Sequence, residues 1–170
     1  MASATTAWKM PPLIKVYEAL GALGDGRVRE SGGGAAEVVS SDGAKTYQVE
    51  VSADGGEISS NDNASYWQGY LGYPAIAVLL ARGTLRARPA TVRALAGIAW
   101  KQLNRRFKND YARTIDEVAR TIAARGGDFA AIRAEAESIL SALSALAPRR
   151  GARRRPPRDR AASARHAPGE

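Results

Sequence analysis

Residues 74–81 place the strongest constraint on how this chain can fold, because their helical pattern is apolar on nearly every side. Pro74 suits the first turn of a helix, and Gly83 ends it. A helix that is apolar all round is stable only when other elements cover it. The uncharged stretch 63–81 is 19 residues long, but it includes polar side chains, two glycines and three tyrosines. It therefore predicts a buried core helix, whereas a membrane span needs about 20 predominantly apolar residues.

The sheet that this helix is expected to cover precedes it in the chain. In the central predicted strand, Tyr47, Val49 and Val51 share one face, and polar residues alternate with them. Residues 36–41 form a β-branched run and residues 57–60 a third short strand, with Asp-Gly turn signals between them. The pattern predicts a three-stranded antiparallel meander with one face against the helix.

Helical patterns occupy most of the remaining chain. Residues 11–23 carry apolar side chains at helical spacing and predict an N-terminal helix. A helical region over 89–108, which Gly97 divides, is followed by an antiparallel pair over 111–125 and 129–147. The predicted fold class is α+β, with an N-terminal helix, a three-stranded antiparallel β-meander packed on a buried helix, and an α-helical C-terminal half.

The composition changes at both ends of the chain. We expect one α+β domain over 11–147, with a hairpin and helix unit over about 36–83 and a helical part over 89–147. Residues 1–10 predict a loose N-terminus. Residues 148–170 are predicted to be disordered, because Arg, Ala, Pro and Gly occur there without apolar periodicity.

Side chains that commonly carry catalysis or bind metals are scarce. The chain has no cysteine, and its single histidine, His166, lies in the Arg-rich C-terminal segment. These counts exclude disulfides, thiolate nucleophiles and Cys-based zinc sites, and they argue against a Ser-His-Asp triad. The oxygen-rich loop 59–65 fits turn and cap chemistry better than calcium binding, because no bidentate Glu follows in register. We expect no enzyme activity, no metal and no cofactor.

The start of the chain carries no targeting pattern. A cationic region followed by an apolar run is missing from its first residues. We therefore expect a cytoplasmic protein that has no membrane contact.

One segment of the chain resembles a known family. Residues 39–41 (Val-Ser-Ser) and 47–49 (Tyr-Gln-Val) are similar to the hairpin V-x-S-S-x-G-x-x-Y-x-V of SWIM-type zinc-binding segments. Residues 77–81 (Ala-Val-Leu-Leu-Ala) are similar to the end of the apolar helix in that family. The resemblance covers about residues 38–83. Because members of the family are linked to DNA or protein interaction, the resemblance implies binding and not catalysis.

The metal-ligand positions of that family hold residues here that do not bind zinc. They are Ile58, Ser60, Gly72 and Pro74. Zinc is bound by thiolates, imidazoles or carboxylates. The resemblance therefore implies a fold in which packing replaces the metal.

Aromatic side chains are concentrated just before the apolar helix. Four of the 11 aromatic residues lie within eight positions: Tyr66, Trp67, Tyr70 and Tyr73. One interpretation is a stacking surface for nucleic-acid bases or for a partner protein. The other is a small core in which large rings fill the space that a metal would organise.

The formal net charge of +8 is unevenly distributed along the chain. Residues 1–81 carry −4, residues 82–113 carry +8, residues 114–147 carry −2 and residues 148–170 carry +6. The basic block predicts a nucleic-acid-binding surface, because cationic side chains neutralise phosphates. Its candidate residues are Arg86, Arg88, Arg93, Lys101, Arg105, Arg106, Lys108 and Arg113. The alternative is a solvated face that pairs with the acidic residues of the first block.

These observations together predict a non-enzymatic, metal-free binding module. The spacing of Lys101, Arg105 and Lys108 places them on one face of a helix, and we expect this face and the Arg-rich tail to contact nucleic acid. Both DNA and RNA fit this expectation. The alternative is a protein-interaction or adaptor domain that uses residues 66–73 or the last helix as its interface.

Overall fold

The computed structural model describes residues 6–158, and it confirms the α+β fold class. The α-helices of the described part are α1 (Ile14–Gly24), α2 (Tyr73–Ala81), α3 (Pro89–Ala94), α4 (Trp100–Arg106), α5 (Tyr111–Ala124) and α6 (Phe129–Leu146). The strands are β1 (Val28–Gly32), β2 (Ala35–Val39), β3 (Thr46–Val51), β4 (Glu57–Ser60) and β5 (Arg149–Arg150). A π-helical turn, Ala64–Gln68, precedes α2. No helix of residues 6–158 is long and apolar enough to cross a membrane.

The sheet has five strands in the order β1-β2-β3-β4-β5. The first four strands form an antiparallel meander, and β5 lies parallel to β4. The expected meander of three strands therefore lacked β1, which is polar and largely exposed and so shows no apolar alternation. Gly32, Gly33 and Gly34 link β1 to β2, and their φ angles of 83°, 61° and 83° are ones that glycine adopts without strain.

Helix α2 is buried between the sheet and α1, as its apolar pattern predicts. One side of α2 packs on β2, β3 and β4, and the other side packs on α1. Val38 and Val49 of the sheet are fully buried beneath it, and Tyr47 is nearly so. Helix α1 in turn contacts α3 and α6. The sheet, α2 and α1 therefore form successive layers around one core.

The helical region expected over 89–108 is two short helices, with Gly97 at a φ of 76° between them. Helix α4 ends at Arg106, and Lys108 and Asn109 have positive φ angles of 52° and 62°. Lys108 therefore lies outside the helix that carries Lys101 and Arg105, and the expected helical face of three cations is wrong. The helix therefore ends about half a turn earlier than the sequence pattern suggested, at the residues with positive φ angles.

Residues 6–10 are attached to the fold and are not loose. The Trp8 indole N–H donates to the Ile58 carbonyl at 3.1 Å, and the Trp8 backbone N–H donates to the Pro148 carbonyl at 3.2 Å. The Lys9 N–H donates to the Gly69 carbonyl at 3.1 Å. These partners are distant in sequence, so no local sequence pattern predicts the contacts. Residues 1–5 of the predicted loose segment lie outside the described residues.

The first part of the Arg-rich tail is ordered, contrary to the prediction of disorder from residue 148. The Arg149 and Gly151 N–H groups donate to the Gly56 and Ile58 carbonyls at 2.8 Å and 2.9 Å, so that β5 covers the edge of β4. Arg150 adds a side-chain hydrogen bond to the Gly69 carbonyl at 2.8 Å. Backbone pairing and arginine contacts order this segment without any apolar periodicity. Residues 159–170 of the tail, including His166, lie outside the described residues.

We predict that deleting residues 149–170 lowers the free energy of unfolding by about 2–4 kcal/mol more than deleting residues 159–170 does. The longer deletion removes the backbone hydrogen bonds from Arg149, Arg150 and Gly151 to the rest of the fold, at about 1 kcal/mol each. It also exposes the edge of β4, which favours aggregation. Urea denaturation of both deletion variants provides the measurement. Equal midpoints for the two variants would contradict a structural role for β5.

Candidate functional site

The aromatic segment and the basic block meet at a cavity of about 560 Å³. Its walls come from α1, the loop after β2, β3, the π-helical turn and the residues before it, the starts of α2 and α5, and α4. Five of the predicted site residues line it: Trp67, Tyr70, Tyr73, Lys101 and Arg105. Cavities that hold small ligands are typically about 300–1,000 Å³, so the space is sufficient for a ligand of that kind.

The π-helical turn places the aromatic side chains at different depths. Gly69 ends the turn with a φ of 74°, and Trp67 remains 68% exposed at the cavity rim. Tyr73, the first residue of α2, packs edge to face with Tyr47 at a ring distance of 6.1 Å. Burial raises the pKa of Tyr73 well above its usual value. The inner rings therefore serve packing, while Trp67 offers a free aromatic face.

Tyr66 does not line the cavity and belongs to a neighbouring surface. The Arg153 guanidinium lies 4.1 Å from the centre of its ring, and the Tyr66 ring meets Trp67 edge to face at 4.7 Å. Arg154 binds Glu50 at 2.6 Å. The Arg-rich tail therefore passes beside the cavity rim.

A buried polar group forms the inner wall of the cavity. The Lys15 Nζ contacts Glu18 Oε2 at 2.9 Å, and the Asn104 amide donates to Glu18 Oε1 at 2.6 Å. Lys15 also lies 5.2 Å from the centre of the Tyr111 ring. Burial disfavours the ammonium, but the Glu18 carboxylate and nearby tyrosines outweigh it, and the pKa of Lys15 is raised. The wall therefore holds a charged lysine away from bulk water.

Sequence reasoning missed this inner wall. Lys15 and Glu18 are charged residues between the apolar positions of α1, yet both side chains are buried. Their spacing of three residues is compatible with an ion pair on a helix. Only the packing of α4 against α1 reveals that the pair is covered. Arg27 also lines the cavity and was not predicted.

Two of the predicted basic residues, Lys101 and Arg105, line the cavity, and they differ in how far their charge is balanced. Lys101 binds Asp42 at 2.9 Å. Although burial opposes ionisation of Asp42, hydrogen bonds from Ser40 and Lys101 lower its pKa below the usual range. Arg105 is exposed and forms no ion pair with any residue between 6 and 158. Arg105 therefore contributes the unbalanced positive charge at this rim.

The other candidate cations are spread over three elements and do not line the cavity. Arg106 and Arg113 each lie about 5 Å from the centre of the Phe107 ring. Arg88, which precedes α3, binds Glu135 on α6 at 2.9 Å. The remaining candidates are exposed and make no ion pair within the described residues: Arg86, Arg93 and Lys108. Only some cations of residues 82–113 therefore pair with acidic side chains of the protein, which is the alternative expected for this block.

The loop 59–65 is built around the buried carboxylate of Asp62. This side chain accepts hydrogen bonds from the Ser60 hydroxyl at 2.5 Å, and from the Ser65 hydroxyl and N–H at 2.7 Å and 3.0 Å. The Ser65 hydroxyl in turn accepts from the Gly72 N–H at 3.1 Å. The loop therefore shows turn and cap chemistry, as expected.

The positions aligned with zinc ligands do not fit a metal. Ile58 is in the core, and Ser60 donates to Asp62. Gly72 precedes α2 and Pro74 is in its first turn. Residues 6–158 contain no group of three or more His, Cys, Asp or Glu side chains that could hold a metal ion. The resemblance to SWIM-type segments stays a prediction. Two of the four positions, Ser60 and Gly72, are linked through hydrogen bonds to Asp62 and Ser65.

Comparison with known proteins gives one family match. Residues 8–149 match the family described as "Uncharacterised conserved protein UCP014422". The match covers most of the chain and includes every residue that lines the cavity. No curated protein and no solved structure is significantly similar to the chain.

We predict that Gly72→Ala lowers the free energy of unfolding by about 3 kcal/mol or more. A Cβ at this position would clash with the Asp62 side chain, whose buried carboxylate is held by three hydrogen bonds. The backbone φ of −72° is ordinary, so the effect comes from space alone. Thermal or urea denaturation provides the measurement.

Gly56→Ala is the matched control for this substitution. Its Cβ would meet only the ends of the Arg149 and Asp54 side chains, at 3.3 Å or more. The expected change is within about 0.5 kcal/mol. If Gly72→Ala were as mild as the control, Asp62 would not have the fixed position described above.

We predict that Glu135→Ala lowers the free energy of unfolding by about 2 kcal/mol. Glu135 accepts hydrogen bonds from the Arg88 N–H at 2.5 Å and from the buried Thr91 hydroxyl, and both donors would lose their partner. Glu137→Ala is the control, because its ion pair with Arg133 is more than half exposed. Denaturation of both variants at pH 7 separates the two effects.

The stabilisation that Glu135 provides should decrease as the pH falls. Burial opposes ionisation, but hydrogen bonds from Thr91 and Arg88 outweigh it and lower the pKa of Glu135. A lowered pKa gives stability that is present above about pH 4.3, the unfolded value, and is lost as the pH falls through the folded value. The stability gap between the native protein and Glu135→Ala should therefore shrink between pH 5 and pH 3. A constant gap over that range would contradict the assignment.

Proposed function

The chain belongs to the UCP014422 family, and we propose that it is a non-enzymatic module that binds single-stranded nucleic acid. The observation that carries this proposal is the shared cavity of about 560 Å³, where Trp67 and Tyr70 meet Lys101 and Arg105. Nucleotides combine an aromatic base with an anionic phosphate. A surface that offers stacking rings beside cations matches both parts of that chemistry.

A single strand fits this surface better than a duplex. Trp67 is 68% exposed at the rim of a concave space, and a base must leave its stack before it can lie against such a ring. Helix α4 has only seven residues, and its two cavity cations point to the same concave space. These features favour unpaired bases over the groove of a double helix.

Phosphate contacts are expected along the rim and the tail. Arg105 has no ion-pair partner among residues 6–158, and Arg155 and Arg158 are exposed at the end of the described tail. Arg153 packs on Tyr66, whose ring touches Trp67, so the tail and the cavity rim are adjacent. Cations in this arrangement attract phosphates in a salt-dependent manner. We further propose that the protein acts in the cytoplasm.

The adaptor alternative uses some of the same surface. Exposed Trp67 also suits a protein interface, where tryptophan is common. The adaptor alternative accounts for the exposure of Trp67, but it does not account for the unpaired charge of Arg105 at the same cavity. A stoichiometric protein partner that binds equally well after nuclease treatment would favour this alternative.

We predict that Trp67→Ala weakens binding of a fluorescein-labelled 15-nucleotide single strand by about 5- to 150-fold. This range corresponds to the loss of one stacked base, about 1–3 kcal/mol. Leu146→Ala is the control, because Leu146 is another exposed apolar side chain and does not line the cavity. Fluorescence anisotropy at low salt provides the measurement.

A salt series tests the cationic part of the proposal. Arg105→Ala should reduce the slope of log affinity against log salt, since one phosphate contact contributes about 0.7 to that slope for a single strand. Arg120→Ala is the control, because this exposed arginine pairs with Glu117 and lies outside the cavity. Absence of strand binding at low salt, or equal binding by the native protein and Trp67→Ala, would overturn the proposal.

A further inference from the structure

The inner wall of the cavity has hydrogen-bonding capacity that the protein itself does not use. The Asn104 Oδ1 atom is buried and has no hydrogen-bond partner in the described part of the chain. Lys15 Nζ has three N–H donors, and the hydrogen bond described for it uses one, to Glu18. Buried polar atoms are normally satisfied, so an orphan acceptor on a cavity wall calls for an explanation.

The carboxylate of Glu18 determines which atom of Asn104 is free. A carboxylate only accepts hydrogen bonds, so the amide must turn its NH₂ group toward Glu18 Oε1, at 2.6 Å. The carbonyl oxygen is then the unused atom. Glu18 Oε2 holds Lys15 at 2.9 Å in the same way. One carboxylate therefore orients a donor, Lys15, and an acceptor, Asn104, on the same wall.

The cations near this wall are paired, unlike Arg105 at the rim. Lys15 is paired with Glu18, and Arg27 is paired with Asp25 at 3.1 Å. The unbalanced cation, Arg105, is exposed at the rim. A ligand whose neutral part enters the cavity and whose anionic part stays outside matches this distribution.

We propose that the cavity holds one nucleobase, with the hydrogen-bonding edge of the base against Lys15 and Asn104. A base edge carries a donor beside an acceptor in one plane, which complements this pair. Tyr70 and Trp67 supply aromatic contacts for its faces. If the base belongs to a nucleic-acid strand, this inference rests on the proposed function. A free nucleotide would present the same base chemistry without a strand.

Two sets of ligands test the inference by isothermal titration calorimetry. The first set is AMP, CMP, GMP and UMP, with ribose 5-phosphate as the ligand that lacks a base. The second set is an abasic strand and the same strand with a single base at its centre. We expect at least one nucleotide to bind at least tenfold tighter than ribose 5-phosphate, and the single base to strengthen strand binding by a similar factor.

The variant Asn104→Leu links this preference to the inner wall. It keeps the branched shape of the side chain but removes the acceptor, together with the NH₂ group that donates to Glu18. It should weaken base-dependent binding about tenfold or more while leaving the abasic strand unaffected. Gln102→Leu is the matched control, because Gln102 is an exposed amide on the same helix and does not line the cavity. Asn104→Ser, which retains a hydroxyl, should be intermediate. Circular dichroism melting checks that each variant is folded. The ligand comparisons made with the native protein test the base site even if a variant fails to fold.

The outcomes separate this inference from the proposed function. Equal binding of abasic and single-base strands, together with no preference for nucleotides over ribose 5-phosphate, would overturn the base site and leave strand binding intact. Nucleotide binding without strand binding would support the base site and overturn the proposed function. If none of the nucleotides or strands binds, both the base site and the proposed function are overturned.

Discussion

The burial of α2 is the constraint on which the rest of the structure depends. Its residues from Pro74 to Leu80 are all buried, so the helix needs cover on every side. The sheet supplies one cover and α1 supplies the other. Because Tyr73 and Gly72 begin this helix, its fixed position also places the aromatic segment at the cavity. The same burial that stabilises the core therefore positions the candidate site.

The inner wall of the cavity shows how a polar group is accommodated at the border of this core. Removing two charges from water is costly unless they are paired and hydrogen-bonded. Lys15 and Glu18 are paired within α1, and Asn104 of α4 adds a hydrogen bond to the same carboxylate. Helices α1 and α4 are thereby connected through a polar contact. The unused acceptor on Asn104 distinguishes this group from a purely structural ion pair.

Sequence patterns predicted best where local periodicity and burial coincide. The apolar helix, the alternation at Tyr47 and Val49, and the break at Gly97 could all be read from spacing. The patterns failed where partners are distant in sequence. Polar β1 pairs along one edge of the meander, and β5 joins the other through backbone hydrogen bonds that need no apolar signal. For the site, aromatic and basic residues were recognisable by type, but their grouping was not.

The sequence by itself determined that α2 must be buried, that an antiparallel sheet precedes it, and that cysteine-based and histidine-pair chemistry is excluded. Those properties follow from residue type and spacing. Only the tertiary structure decided that Arg105 lines the same cavity as Trp67 while Arg88 is bound to Glu135. It also decided that Lys15 faces a cavity and not solvent. The physical reason is that helix periodicity places a side chain on a face, but neighbouring elements determine what that face meets.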